Sequence, residues 1–276
     1  MLLFVPLILG GATGDTVAVT TTVLTFVAFG LLASATYIIN DIIDAPIDRR
    51  HAIKRHRPLA SGSLSLSFGI VLAVLGLASG LGISYFLRLP VFLGLFGYVV
   101  LTLAYSLRLK RVPIVDVALL GCLYTWRLFV GVLASEVLLS AWLMVFSFAF
   151  FLSLSLAKRQ TEIMRMIKEG KSALAGRGYR TIDATFVMIM GVATGVSSIL
   201  IFVIYMTERA FSRANFSTPE ALWVCPVILL LWLSQIWMLC CRGELHDDPV
   251  EFAISDRKSL ILGIISAAAV LIAIFV

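Results

Sequence analysis

Apolar residues dominate the chain in long continuous runs: Val17 to Ile39, Phe68 to Leu87, Val91 to Leu107, Val112 to Ala134, Ala141 to Ala157, Ile182 to Met206, Ala221 to Leu239 and Ser259 to Val276. Most reach the roughly 17 to 25 residues that a membrane-spanning helix needs. They lack the polar alternation of a porin strand, and in lipid a helix pairs every backbone N–H and C=O within its own segment. Met1 to Ala12 is a further apolar run, too short to span, and reads as the end of a truncated first helix. A cleaved signal peptide is the rival reading, but no basic stretch precedes Leu2. The expectation is an all-α, polytopic helical bundle of about nine transmembrane helices, forming one domain over residues 1–276.

Composition supports that picture, with 60% apolar and only 14% charged residues. Charge placement adds a topology. Eighteen Lys and Arg fall in the connections at 40–67, 108–111, 158–180 and 242–258, whereas the alternate connections hold only Arg88, Arg209 and Arg213. Basic loops remain cytosolic, so these four connections are expected on the cytosolic side of the cell's inner (plasma) membrane, with Val276 outside. The net charge of +6 is thereby accounted for by topology and anionic lipids or substrates, and no nucleic-acid partner is expected. No protein partner can be inferred. Cys122, Cys225, Cys240 and Cys241 lack zinc-site spacing and read as free thiols. Gly76, Gly80, Gly82, Gly191 and Gly195 read as close helix packing.

The few acids are clustered. In NDIIDAPIDRR, Asp41, Asp44 and Asp48 are spaced three and four apart, which places their carboxylates on one face of a continued helix beside Asn40. Like charges so placed repel, and a divalent cation would offset the cost; oxygen-only ligands with substrate phosphates suit magnesium. A solvated helix end is the plain alternative. Lys54, Arg55 and Arg57 follow and could clamp phosphate oxygens. A second cluster, AKRQTEI, holds Lys158, Arg159 and Glu162, and a third, RGELHDDPVEFAISDR, holds His246, Asp247 and Asp248. Asp116 and Arg127 lie inside one span, where charges usually face the bundle interior, paired or functional. No HExxH, GxSxG or Walker loop occurs, so zinc-hydrolase, serine-hydrolase and P-loop chemistry have no support.

The strings NDIIDAPIDRR, HRPLASG and YSLRLKRVPIVD, running from Tyr105 to Asp116 in the last case, resemble the UbiA superfamily of intramembrane prenyltransferases. That resemblance implies nine helices around a cavity and an aspartate-rich motif that binds a donor diphosphate through Mg2+. KRHRP, AKRQTEI and HDDPVEFAISDR resemble the decaprenyl-phosphate phosphoribosyltransferase branch, and the second aspartate-rich motif of aromatic prenyltransferases is missing after the sixth helix. By resemblance, Asp41, Asp44 and Asp48 form the metal shell and act in catalysis together with Lys158. Asn40, Lys54, Arg57, Tyr105, Asp116, Lys158, Arg159, Glu162, Asp247 and Asp248 are the expected substrate-binding residues.

The implied reaction moves 5-phosphoribosyl from 5-phosphoribosyl 1-diphosphate to a lipid-linked polyprenyl phosphate and releases diphosphate. Magnesium and basic groups would neutralise the leaving group, and the anionic acceptor needs no dedicated base. Two alternatives stay open. The same fold could move a prenyl group from a prenyl diphosphate to an aromatic or other acceptor, because the first motif suits either diphosphate. A transporter could use the acids to hold an ion, although such sites usually lie near the midplane.

Overall fold

In the computed structural model, which describes residues 1–49, 54–170, 172, 177–210, 217–245 and 249–275, the apolar runs are helices. The first run is a single 3-10 turn and α1 (Val5–Leu9), far short of a span. Asp15 then starts α2 (Thr16–Asp48), its Oδ1 accepting from the Val17 and Ala18 amides at 2.8 and 3.2 Å. Such a cap satisfies N–H groups that have no partner within the helix. α2 has 33 residues. At 1.5 Å per residue it is about 50 Å long, against a bilayer core of about 30 Å, so its last turns project beyond the hydrocarbon.

After α3 (Pro58–Ser61), which ends at Gly62 with φ +82°, follow α4 (Leu66–Leu87), α5 (Leu89–Leu107) and α6 (Val115–Ser135). The remaining helices are α7 (Ala141–Lys168), α8 (Ala184–Tyr205), α9 (Val224–Arg242), α10 (Pro249–Ser255) and α11 (Arg257–Phe275). Among the described residues seven helices are long and apolar enough to cross a membrane, and α11 covers the last expected span. The chain is an all-α, polytopic integral membrane protein.

The chain divides into two compact units, residues 1–112 with 126–139, and residues 113–125 with 140–276. In the first, α2 packs on α4 through small residues. A Cβ on Gly80 would lie 2.6 Å from Leu32 Cγ and 2.9 Å from the Ala28 carbonyl oxygen, and one on Gly76 3.2 Å from the Leu31 carbonyl oxygen. Without a hydrophobic drive between helices in lipid, such close backbone approach is what holds them. Gly82 departs from the packing expectation, since a Cβ there meets nothing within 4 Å. Arg127, inside its span, places its guanidinium 5.6 Å from the Phe29 ring centroid, and Phe29 packs on Tyr98.

The second unit has its core in Val117, Leu156, Ile163, Trp232, Ile236 and Trp237. Gly191 leaves room for the Trp237 ring. The Trp237 indole N–H donates to Ser153 Oγ at 3.1 Å, and that hydroxyl donates to the Gly191 carbonyl at 2.7 Å. Buried polar groups are thereby paired with each other across three helices. All four cysteines are free.

Candidate active site

The length of α2 carries Asn40, Asp41, Asp44 and Asp48 onto its projecting end, all still helical despite Pro46. Two cations come to this face from later in the first unit. Arg57, in the turn before α3, donates through Nη1 to Asp41 Oδ1 at 3.0 Å and to Asp48 Oδ2 at 2.9 Å. Lys110, in the 3-10 turn between α5 and α6, donates to Asp44 Oδ1 at 2.5 Å and to Asn40 Oδ1 at 3.0 Å. Asn40 Nδ2 closes the set by donating to Asp44 Oδ2 at 3.1 Å.

As they stand here, the three carboxylates do not converge on one point. Among the described residues no three acidic, histidine or cysteine groups gather as a metal cluster. The reason is geometric. Asp41 and Asp48 are seven residues apart and share one side of the helix, where the guanidinium bridges them, while Asp44 turns toward Lys110. Asp48 is also nearly sealed, its side chain 6% exposed. The oxygens of Asp41, Asp44 and Asn40 nevertheless fit magnesium, which uses one or two carboxylates and completes its shell with substrate phosphates and water. Basic side chains already sit on these oxygens as stand-in cations.

Farther back along α2, an apolar groove of about 310 Å³ runs between the middle of α2 and α4, lined by Leu31, Ala35, Ile38, Leu72, Leu75 and Gly76 among others and by none of the acids.

In the second unit a separate polar cluster forms around Asp116. Arg159, fully buried, places Nε 2.9 Å from Asp116 Oδ2 and pairs through Nη1 with Glu162. Tyr179 donates its hydroxyl to Asp116 Oδ1 at 2.7 Å and accepts from the Ile114 amide at 2.8 Å. Arg177 Nη1 stands 3.7 Å from Asp116 Oδ2. Burial first, and the bond to Asp116 second, push the Tyr179 phenol well above its usual range. Ile114 sits at φ +69°, a left-handed conformation costly for a β-branched residue, directly before α6.

Arg159, expected to hold donor phosphate, is instead an internal cation with two carboxylate partners and no exposed surface. Lys158 is half-buried on α7 and Tyr105 half-buried on α5. Asp247 and Asp248, and the Lys54 side chain, lie outside the described residues. Lys110, Arg177 and Tyr179 were missed because their partners are more than 60 residues away in the chain. Only the position of Lys110 five residues after Tyr105, within YSLRLKR, hinted at it.

The description of the UbiA prenyltransferase family fits residues 1–255. The chain belongs to this family. A UbiA homolog from Archaeoglobus fulgidus bound to DMAPP and Mg2+ has the same fold, with a TM-score of 0.74, 15% identity, and coverage of 99% of this chain and 92% of that one. The protein y4nM of Sinorhizobium fredii is 41% identical over 273 residues, covering 99% of this chain and 53% of y4nM, so the chain spans about half the length of that relative. Decaprenyl-phosphate phosphoribosyltransferase of Mycobacterium tuberculosis is 26% identical over 261 residues, covering 92% of this chain and 82% of the other.

Proposed function

We propose that this chain is a magnesium-dependent UbiA-type transferase that takes a group from a diphosphate donor at the cytosolic face of the membrane. One observation carries the reading: the oxygens of Asn40, Asp41 and Asp44, at the projecting end of a membrane helix, already hold cations side by side. The concentration of basic residues in alternate connections supports the cytosolic face. Bound magnesium would supply charge neutralisation for the departing diphosphate. Asp41 and Asp44 hold it, and Arg57 and Lys110 donate to phosphate oxygens. The donor's carbon–oxygen bond breaks with its electron pair leaving on diphosphate, while the acceptor atom forms the new bond to that carbon with its own electron pair, shedding a proton to water where the acceptor is neutral.

For the donor, a prenyl diphosphate is supported by the fold shared with a homolog bound to DMAPP and Mg2+. A second reading has its own support. Relatives named decaprenyl-phosphate phosphoribosyltransferase match 86% to 92% of the chain, which favours 5-phosphoribosyl 1-diphosphate as donor and a polyprenyl phosphate as acceptor. Purified protein in detergent with magnesium, offered each labelled donor in turn with polyprenyl phosphate and, separately, with an aromatic acceptor, separates them. Turnover of the prenyl donor alone establishes the first reading, turnover of the phosphoribosyl donor alone establishes the second, and magnesium-independent turnover of either contradicts the shared mechanism.

A further inference from the structure

Lys110 reaches the acidic face of α2 from 66 residues away and is itself sealed there, its side chain only 6% exposed. Its ammonium sits on one oxygen of Asp44 and one of Asn40, and these two residues are tied together by the Asn40 amide. They are also residues that the proposed function assigns to magnesium. A lysine ammonium is a compact point charge, and magnesium requires close oxygen contacts at about 2.1 Å. An ion placed on Asp44 Oδ1 and Asn40 Oδ1 would bring its charge against the ammonium already 2.5 and 3.0 Å from them and must compete with it.

The charge balance points the same way. Counted over these five described side chains alone, Asp41, Asp44 and Asp48 against Arg57 and Lys110 leave one net negative charge. A divalent ion arriving alone would turn this into a net positive charge beside a sealed ammonium. Arriving with a diphosphate, it brings the anionic oxygens to which that ammonium can transfer its hydrogen bonds.

We infer that Lys110 is a displaceable internal cation that makes metal binding conditional on the donor. Without donor it fills the Asn40–Asp44 end of the motif and keeps metal out. With donor its ammonium turns to a phosphate oxygen and vacates the metal's place. The four-carbon stem and the short 3-10 turn Leu109–Arg111 that carries Lys110 suit such a swing. This inference rests on the proposed metal role of Asp41 and Asp44. It goes beyond that role by fixing the order in which metal and donor are accepted.

The test uses Mn2+ as a paramagnetic probe and the full chain in detergent, with inorganic diphosphate as the donor's anionic part. Without diphosphate, wild type binds Mn2+ weakly, whereas Lys110→Met and Lys110→Gln bind it roughly tenfold more tightly or better, because the competing charge is gone. Lys110→Arg, which keeps the charge, stays weak. Adding diphosphate strengthens retention of Mn2+ by wild type far more than by the neutral variants. A merely structural lysine gives the opposite sign, since losing it would loosen the carboxylates and weaken Mn2+ binding. Unchanged or weaker Mn2+ binding in both neutral variants overturns the inference while leaving the metal site standing. Loss of helical circular dichroism in both neutral variants also overturns it, by showing that Lys110 is a clamp the fold requires. Absence of Mn2+ binding in every variant with diphosphate overturns the metal role itself.

Discussion

Replacing Tyr179 by Phe removes one hydroxyl and leaves the ring, so the cost measures hydrogen bonding rather than packing. The hydroxyl donates to Asp116 Oδ1 and accepts from the Ile114 amide, in a side chain only 1% exposed. Its loss leaves the part-buried Ile114 N–H without that acceptor and the buried Asp116 carboxylate short of one donor. Each such group costs about 1–3 kcal/mol, so a destabilisation of about 2–4 kcal/mol is expected, with Ile114 less firmly held in its left-handed conformation. At roughly 2–4 °C per kcal/mol, apparent melting in detergent should fall by about 4–16 °C. The pH dependence supplies a second reading. A phenol whose folded pKa lies above the usual value of about 10 contributes stability that is complete below that pH and is lost as pH rises beyond it. The unfolded chain releases that proton first, so wild-type stability should fall above about pH 10 by up to about 1.4 kcal/mol per pH unit more than in the Phe variant. Thermal unfolding of both proteins between pH 8 and 11 checks this. A Phe variant as stable as wild type at pH 8, with the same alkaline slope, would refute the assignment of Tyr179 as the link between Ile114 and Asp116.

Changing Arg159 to Met should cost about 3–5 kcal/mol, because Asp116 and Glu162 lose the guanidinium they share; adding Asp116→Asn should recover part of it. A variant that folds normally but binds donor poorly would instead restore Arg159 to the substrate. Gly80→Val should prevent α2 and α4 from closing, whereas Gly82→Val should be tolerated, as read by expression level and thermal stability in detergent.

The fold was largely legible because lipid imposes one rule, continuous apolar length, and the runs obey it. The extension of α2 to Asp48 followed from the three- and four-residue spacing of its acids, which only a helix turns into one face. Long-range pairing was not legible. A lysine 66 residues after Asp44 and a tyrosine 63 residues after Asp116 carry no local mark of their partners. Charge clusters misled for a related reason: AKRQTE reads the same whether Arg159 meets a ligand or, as found, is enclosed by Asp116 and Glu162. Left-handed Ile114 had no sequence signal either, since glycine is the usual residue at such φ.

The central claim is that the projecting acids of α2 hold a donor diphosphate through magnesium. Its most direct measurement is calorimetric titration of the diphosphate donor that turns over into wild type and Asp44→Asn, each with and without magnesium. Asn keeps the size of Asp and removes the charge, so the helical circular dichroism should be unchanged. Wild type should bind donor only with magnesium, and the variant should lose that affinity by about 30-fold or more, as expected when one member of a desolvated charge pair is removed. Magnesium-dependent donor binding of equal strength in Asp44→Asn would contradict the account.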